Sequence, residues 1–388
     1  MENIKYSLLI IALYCYSGHV KAVIDHLKAK NPLVDLTLLT DKPEEMRKML
    51  LDKSVNIVHY DVAPVSIKNR WLRFLIIRYK QRRFFSSFCK GKSYDIVNIH
   101  FANRYMFYVY NSLRKMTNNV VLTPWGSDVL RVLNKKVLNQ LGKLYRNADY
   151  IATDTKTPLG KKIIDELKVE PKKFVGNFFG TDVVDFALSQ GAYISQEDAK
   201  QRFGLSGRYV ITCGYNRRPV HQHKVMIDAI DKVRSLLPKN LTLLFPMTYG
   251  PNTKDEYIEE CKKECETRNL SSVFVTDFLS VEDLYKLRKC TDIFIHLQLT
   301  DASSGSLQEY ILCDKKIVHG SWVKYEELES FQPLFYFPVD RIEELGNVIV
   351  KAYNSDKIEI PQGVIDYVKN SGWDKKVTKM NDFFMSIV

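Results

Sequence analysis

Lys5-Tyr-Ser-Leu-Leu-Ile-Ile-Ala-Leu-Tyr-Cys-Tyr16 places one cation ahead of an apolar run interrupted only by Ser7, and it leads straight into Ser17-Gly18-His19 and a helix-period pattern. An apolar run of about ten residues is too short to span a bilayer, which takes about 20. It also passes for the core of a weak signal peptide, but no clear small-x-small cleavage site follows it. A strand covered on both faces reads as a continuous apolar run, so this stretch is expected to be a buried first strand that feeds a covering helix.

The same rhythm continues outward. Tyr6 to Leu13, Val34 to Thr40, Val55 to Tyr60, Ile96 to His100, Val120 to Thr123 and Tyr150 to Ala152 read as strands, with helix candidates between most of them. After a looser patch from Asn177 to Glu197 the pattern restarts. Tyr209 to Cys213, Leu241 to Phe245, Ser272 to Val275, Ile293 to His296 and Lys316 to Val318 read as a second set. A chain of 388 residues, 45% apolar and 26% charged, exceeds one ordinary core. The expectation is an α/β protein of two Rossmann-like domains, residues 1–185 and 186–360, facing across a ligand cleft. A helical segment, 361–388, is expected to pack back on the first. Seven cysteines without CxxC or a regular ligand spacing point to reduced thiols and a cytoplasmic chain.

The formal net charge is +12, and much of it lies between Lys68 and Lys92. As a helix, Trp71, Phe74, Leu75, Ile76 and Tyr79 would form an apolar face beside Arg70, Arg73, Arg78, Lys80, Arg82 and Arg83. Such a segment either packs on the core with a solvated basic flank or rests on an anionic membrane surface. No zinc finger, helix-turn-helix or RNA-binding signature accompanies the charge, so nucleic acid is not an expected partner.

Neither half carries GxGxxG or GxxxxGK[ST], which disfavours a dehydrogenase and a P-loop ATPase. The candidate ligand groups instead follow strands, where open sheets place their sites. Asp301-Ala-Ser-Ser-Gly-Ser-Leu-Gln-Glu309 brackets a small-residue turn with two carboxylates. Gly305 and Ser306 fall at the expected helix N-terminus, where free N–H groups favour an anion. Arg217, Arg218 and Lys224 follow the first strand of the second half and would reach the same anion. Ser306 with Glu309 also fits a capping box. In the first half, Gly18 and His19 follow strand one and His100 ends a strand; ligand contact and plain packing are both open for the histidines. His221, His223 and Asp228 lack further ligands at motif spacing, and no convincing DxD pair is present, so no metal is expected.

The residues now carry a resemblance. The second half resembles the nucleotide-sugar domain of GT-B glycosyltransferases, particularly the retaining GT4-like enzymes of bacterial surface-polysaccharide synthesis, such as those building lipopolysaccharide and capsule. Asp301 and Glu309 have the spacing of that family's Glu, seven residues, Glu. In the first half, Asp95-Ile-Val-Asn-Ile-His100, Val121-Leu-Thr-Pro-Trp-Gly-Ser-Asp128 and Asn147-Ala-Asp-Tyr-Ile-Ala152 fall in the family's order. Phe174-Val-Gly-Asn-Phe-Phe-Gly-Thr-Asp182 is similar to its stretch before the linker. The resemblance implies a GT-B architecture with an acceptor-binding first domain and a nucleotide-sugar-binding second. It also implies Arg218 and Lys224 on the donor diphosphate, Glu309 on the ribose hydroxyls and Asp301 on the transferred sugar. Gly18 is similar to the family's glycine-rich turn. Trp125-Gly126 replaces the usual His-Gly, so that Trp125 would stack on a sugar and Asp128 would bind or polarise an acceptor hydroxyl.

The implied reaction is retaining transfer of a hexose-type sugar from a nucleotide diphosphate-sugar to a lipid-linked or polysaccharide acceptor, without cofactor, at the inner face of the cell membrane. A GT-B epimerase or phosphorylase, and a non-enzymatic sugar-binding protein, are the alternatives.

Overall fold

The computed structural model describes residues 4–62, 66, 68–250, 256–330, 335–356 and 359–388. The chain divides into two units, Met1–Phe179 with Asp374–Val388, and Gly180–Trp373. The first contains β1 (Ser7–Ala12), β2 (Asp35–Thr40), β3 (Asn56–His59), β4 (Ile96–His100), β5 (Val120–Thr123) and β6 (Tyr150–Ile151). They form one parallel sheet in the order β3-β2-β1-β4-β5-β6. The opening apolar run is its central strand: Leu8 pairs with Leu36 on one side and Ile96 on the other, and Leu8, Leu9 and Ile10 are wholly buried.

The second unit contains β7 (Tyr209–Cys213), β8 (Leu241–Pro246), β9 (Ser272–Val275), β10 (Ile293–His296), β11 (Lys316–Gly320) and β12 (Phe337–Val339). It repeats the plan as β12-β11-β10-β7-β8-β9, again all parallel. β12 is not among the strands expected from the sequence. It is three residues long and contains Pro338, tolerable on an edge strand whose outer side needs no ladder donor. In both sheets the strand order reverses beside the first strand, between β1 and β4 and between β7 and β10. Doubly wound sheets bind ligands outside the carboxyl ends of strands at such a reversal.

The unit boundaries differ from residues 185 and 360. The helix Asp182–Ser189 packs on the helix Val281–Lys289, Thr181 pairs with Gly372, and the helix Gln362–Lys369 packs on the helix Gly305–Leu312. Residues 180–185 and 361–373 therefore count with the second unit. The helix Trp373–Ser386 serves the first. Tyr6 Oη and Asn31 Nδ2 both donate to Asn381 Oδ1, at 3.3 and 3.1 Å, and Phe384 lies edge-on to Tyr6 and Phe178.

The basic segment forms the helix Arg70–Phe88, capped by Asn69, whose side chain accepts from the N–H groups of Trp71 and Leu72. Its apolar residues do not make the single face expected. Successive residues on a helix are about 100° apart, which separates Phe74 from Leu75. Phe85 and Phe88 are buried and Phe74 is half-buried, whereas Trp71, Leu72, Leu75 and Tyr79 face solvent, Trp71 at 72% and Tyr79 at 67% exposure. Among the described residues no helix is long and apolar enough to cross a membrane. All seven cysteines are free thiols, and Cys261 and Cys265 share the buried face of the helix Glu256–Thr267.

Candidate functional site

In the second unit, the loops after β7 and β10 flank the order reversal. The first begins at Gly214, whose φ of +65° favours glycine; a Cβ there would also stand 2.8 Å from the His223 ring. Of the cations in this loop, Arg217 is committed to the fold: its guanidinium donates to the carbonyls of Met247, Thr248 and Thr276, tying together the ends of β8 and β9. Arg218 donates its backbone N–H to Asn216 Oδ1 at 3.0 Å, and its guanidinium has no hydrogen-bond or ion-pair partner among the described residues. Lys224 points elsewhere, with Nζ 2.6 Å from Glu260 at the surface. His223 is fully buried beside Tyr257, its Nδ1 3.2 Å from the hydroxyl; burial lowers its pKa to about 3 and makes it a neutral packing group. Asp228 pairs with Lys232 and Arg268. Among the described residues no group of three His, Cys, Asp or Glu could hold a metal ion.

The loop after β10 carries Asp301. Its Oδ1 accepts from the Ala302 N–H at 2.7 Å, its Oδ2 accepts from Tyr215 Oη at 3.3 Å, and His296 Nε2 lies 3.5 Å from Oδ2. Burial alone would raise this carboxyl's pKa. His296, Tyr325 and the Ala302 amide together outweigh that and hold it below its ordinary value. Tyr215 comes from the β7 loop and Asp301 from the β10 loop, so the two sides of the reversal are joined at the carboxylate.

The helix Gly305–Leu312 is capped by Ser304, which accepts from the Leu307 N–H at 3.1 Å. The capping box open between Ser306 and Glu309 does not form, because the helix starts two residues earlier than that motif requires. Ser306 Oγ instead accepts from Arg288 at 3.3 Å. A Cβ at Gly305 would meet nothing within 4 Å, so the first turn presents open backbone. Glu309 is buried with both oxygens engaged: Oε1 accepts from Thr181 Oγ1 at 2.6 Å and Oε2 from Arg288 Nε at 2.9 Å. Each carboxylate oxygen keeps a further lone pair.

In the first unit, the loops after β1 and β4 flank the corresponding reversal. Gly18 sits in the first turn of the helix Ser17–Lys30, and a Cβ there would stand 2.5 Å from the Tyr16 ring, so a larger residue would have to displace that ring. The ring of His19 lies edge-on to Tyr16, Trp125 and Phe179, and that of His100 edge-on to Trp125 and Phe179. These centroid separations run from 5.2 to 6.2 Å.

The tautomer of His100 follows from its neighbours. Thr123 Oγ1 donates to Asn98 Oδ1 at 2.7 Å, so the Asn98 amide nitrogen, 3.2 Å from His100 Nε2, is the donor there. The proton of the neutral ring is then on Nδ1, which is buried with no hydrogen-bond partner among the described residues; Trp125 Nε1 is in the same position. Burial, with a smaller contribution from His19, lowers the His100 pKa to about 3. Asp128 Oδ1 accepts from the Trp125 N–H at 3.0 Å and closes the turn through Gly126, whose φ is +98°. Burial raises its pKa to about 6, against the opposing backbone hydrogen bonds at Trp125, Asp128, Gly126 and Ala102.

The structure thus brings Gly18, His19, His100 and Asp128 to one end of the first sheet. Arg218, Asp301, Gly305, Ser306 and Glu309 lie on the two switch-point loops of the second and the helix that follows. Lys224 starts beside them but is turned to Glu260. Sequence reasoning passed over His296, His319, Tyr215, Tyr325 and Arg288. A strand-terminal histidine in β10 and another in β11 were visible signals, since His296 and His319 are direct partners in register.

Comparison with known proteins accords with this architecture. Residues 9–155 match the glycosyl transferase 4-like family profile. A glycosyltransferase from Rickettsia africae superposes with a TM-score of 0.70 at 15% identity, covering 99% of this chain and 98% of the other. Sucrose-phosphate synthase from Thermosynechococcus elongatus gives 0.73 at 12% identity, covering 99% of each chain. HepE from Anabaena, solved with UDP and glucose, gives 0.70 at 12% identity, covering 98% of this chain and 100% of the other. No curated protein sequence matches the chain. The two doubly wound units have the fold of these solved structures, the GT-B fold of two Rossmann-like domains.

Proposed function

We propose that this chain transfers a hexose-type sugar from a nucleotide diphosphate-sugar to a hydroxyl of a lipid-linked or polysaccharide acceptor, with retention of configuration. The observation that carries the reading is an ionised, partly accessible Asp301 and an Arg218 guanidinium without a partner among the described residues, on the two loops of one switch point. A donor needs both: a carboxylate to accept from a sugar hydroxyl, and a cation where diphosphate charge grows as the glycosidic bond breaks. The open first turn at Gly305 supplies N–H groups for the same phosphates. HepE, solved with UDP-glucose and with UDP, supports a uridine nucleotide as the first donor to try. Lys224 would join the diphosphate only by leaving Glu260. Glu309 would accept from the ribose hydroxyls through its remaining lone pairs.

The first unit would hold the acceptor. The N–H groups of His100 and Trp125, without partners among the described residues, would donate to acceptor oxygens, and the Trp125 ring offers a stacking face. With retention, the incoming hydroxyl attacks from the side of the leaving diphosphate and a phosphate oxygen takes its proton, so catalysis rests on positioning and charge. No resident cofactor or metal is part of this proposal. The helix Arg70–Phe88 would bring the chain to an anionic bilayer at the cytoplasmic face. Lys68 to Lys92 contains nine cations and no acid, and Trp71, Leu72, Leu75 and Tyr79 face solvent among them.

The test is release of nucleoside diphosphate from UDP-, GDP- and dTDP-sugars, with and without a bacterial lipid extract, using Asp301→Asn and Arg218→Gln as controls. Lipid-dependent release that falls in both variants supports the transferase. Binding of a donor without turnover would favour a sugar-binding protein, and an acceptor-independent epimer an epimerase.

A further inference from the structure

Behind Asp301 stands a second, wholly buried histidine. His319 Nε2 is 2.7 Å from the Val323 carbonyl oxygen, which can only accept, so Nε2 carries a hydrogen. Its other nitrogen, Nδ1, is 3.0 Å from His296 Nδ1, and one hydrogen must lie between them. That leaves His296 Nε2, buried and 3.5 Å from Asp301 Oδ2, with no closer partner among the described residues. Asp301 Oδ2 already accepts from Tyr215 Oη. A bare Nε2 would set two buried acceptors face to face, whereas an N–H there satisfies both. Counting hydrogens then gives three on two rings, one positive charge against one carboxylate.

We propose that His296, held by His319, is a buried imidazolium that keeps Asp301 ionised, so that His296 and His319 are positioning residues for the sugar-contacting carboxylate. The ring of His296 lies 5.9 Å from Tyr215, nearly parallel to it, and 6.1 Å from Tyr325, which enclose the charge from the β7 loop and from the segment after β11. Further out, His221 packs on Tyr215, Tyr336 packs on His319 with its hydroxyl on Glu329, and Glu327 acts on Tyr325. The carboxylate is the nearest counter-charge, and register sets the geometry: His296 and His319 are direct neighbours on β10 and β11. The part Asp301 plays toward a sugar rests on the donor-site reading above, whereas the hydrogen count does not.

The test starts from the full chain with its eight histidines selectively labelled with ¹⁵N. Long-range ¹⁵N–¹H spectra at pH 7 should show hydrogens on both nitrogens of His296 and on Nε2 of His319, and Asp301→Asn should strip Nε2 of His296. A bare His296 Nε2 in the unaltered chain, or an imidazolium that survives Asp301→Asn, overturns the proposal. In donor turnover, His296→Gln should move the acid limb of kcat upward by about one pH unit or more while donor KM changes less. An unmoved limb overturns the positioning role. If the spectra show the imidazolium and no nucleotide-sugar is turned over, the charge relay stands and the transferase reading falls. Turnover with a neutral His296 removes the relay alone.

Discussion

Replacing Glu309 tests the fold before it tests the ribose contact. Arg288 is 3% exposed and the Glu309 side chain 7% exposed. The arginine spends Nε on Glu309, one terminal nitrogen on Tyr310 Oη at 3.2 Å and the other on Ser306. Burial costs the guanidinium, yet Tyr310 and Glu309 leave its pKa raised. Removing one partner from such a buried pair leaves an uncompensated charge and costs about 3–5 kcal/mol, whereas replacing both by apolar groups of similar volume is often near neutral. Arg288→Met and Glu309→Leu should each destabilise the second unit by about that amount, and the double variant should cost less than either alone. Segment-resolved hydrogen exchange is the assay, since one melting curve for two units has no single meaning. Exchange in Val281–Lys289 and Gly305–Leu312 should speed by about a hundredfold or more in the single variants, following the same free energy. Losses below about 1 kcal/mol, or a double variant equal to the sum of the singles, would falsify the reasoning. Lost activity in a Glu309 variant therefore means a lost ribose contact only when exchange in these helices is unchanged.

Three further outcomes follow from the same physics. His223 has its pKa lowered by burial, so the unfolded chain takes up its proton first as pH falls; stability drops from about pH 6.5 downward, by about 2 kcal/mol at pH 5, and His223→Asn should remove that slope in urea titrations of the second unit. Asp128 has the opposite sign, because its raised pKa makes the folded form bind the proton first. The first unit should regain about 1.4 kcal/mol at pH 5 against a loss of about 2 kcal/mol at His100, and Asp128→Asn should expose the full His100 loss in hydrogen exchange of β4 and β5. Trp71→Ala with Tyr79→Ala should weaken cosedimentation with phosphatidylserine vesicles by about tenfold or more, since each ring offers about 1.5–3 kcal/mol of burial, with neutral-lipid vesicles as the baseline; equal binding of both proteins would remove the helix from membrane docking.

The strands were legible because parallel strands covered on both faces must be apolar throughout, and Ser7–Ala12 and Ile293–His296 have almost no polar residue to confuse the reading. β12 escaped because three residues with a central proline carry no periodicity and form a strand only where β11 offers an edge. Gly18, Asp301 and Gly305 could be placed from the sequence because turn-and-helix starts are local chemistry. What the sequence did not contain is which side chain each one meets. Thr181 reaches Glu309 across 128 residues, Arg288 reaches it across 21, Lys224 turns to Glu260 across 36, and His296 finds His319 only through strand register. Local pattern determined the elements, since backbone geometry and burial act within a few residues. The tertiary structure decided the charges, since a buried ion's state depends on whichever distant group the fold places within a few ångströms of it.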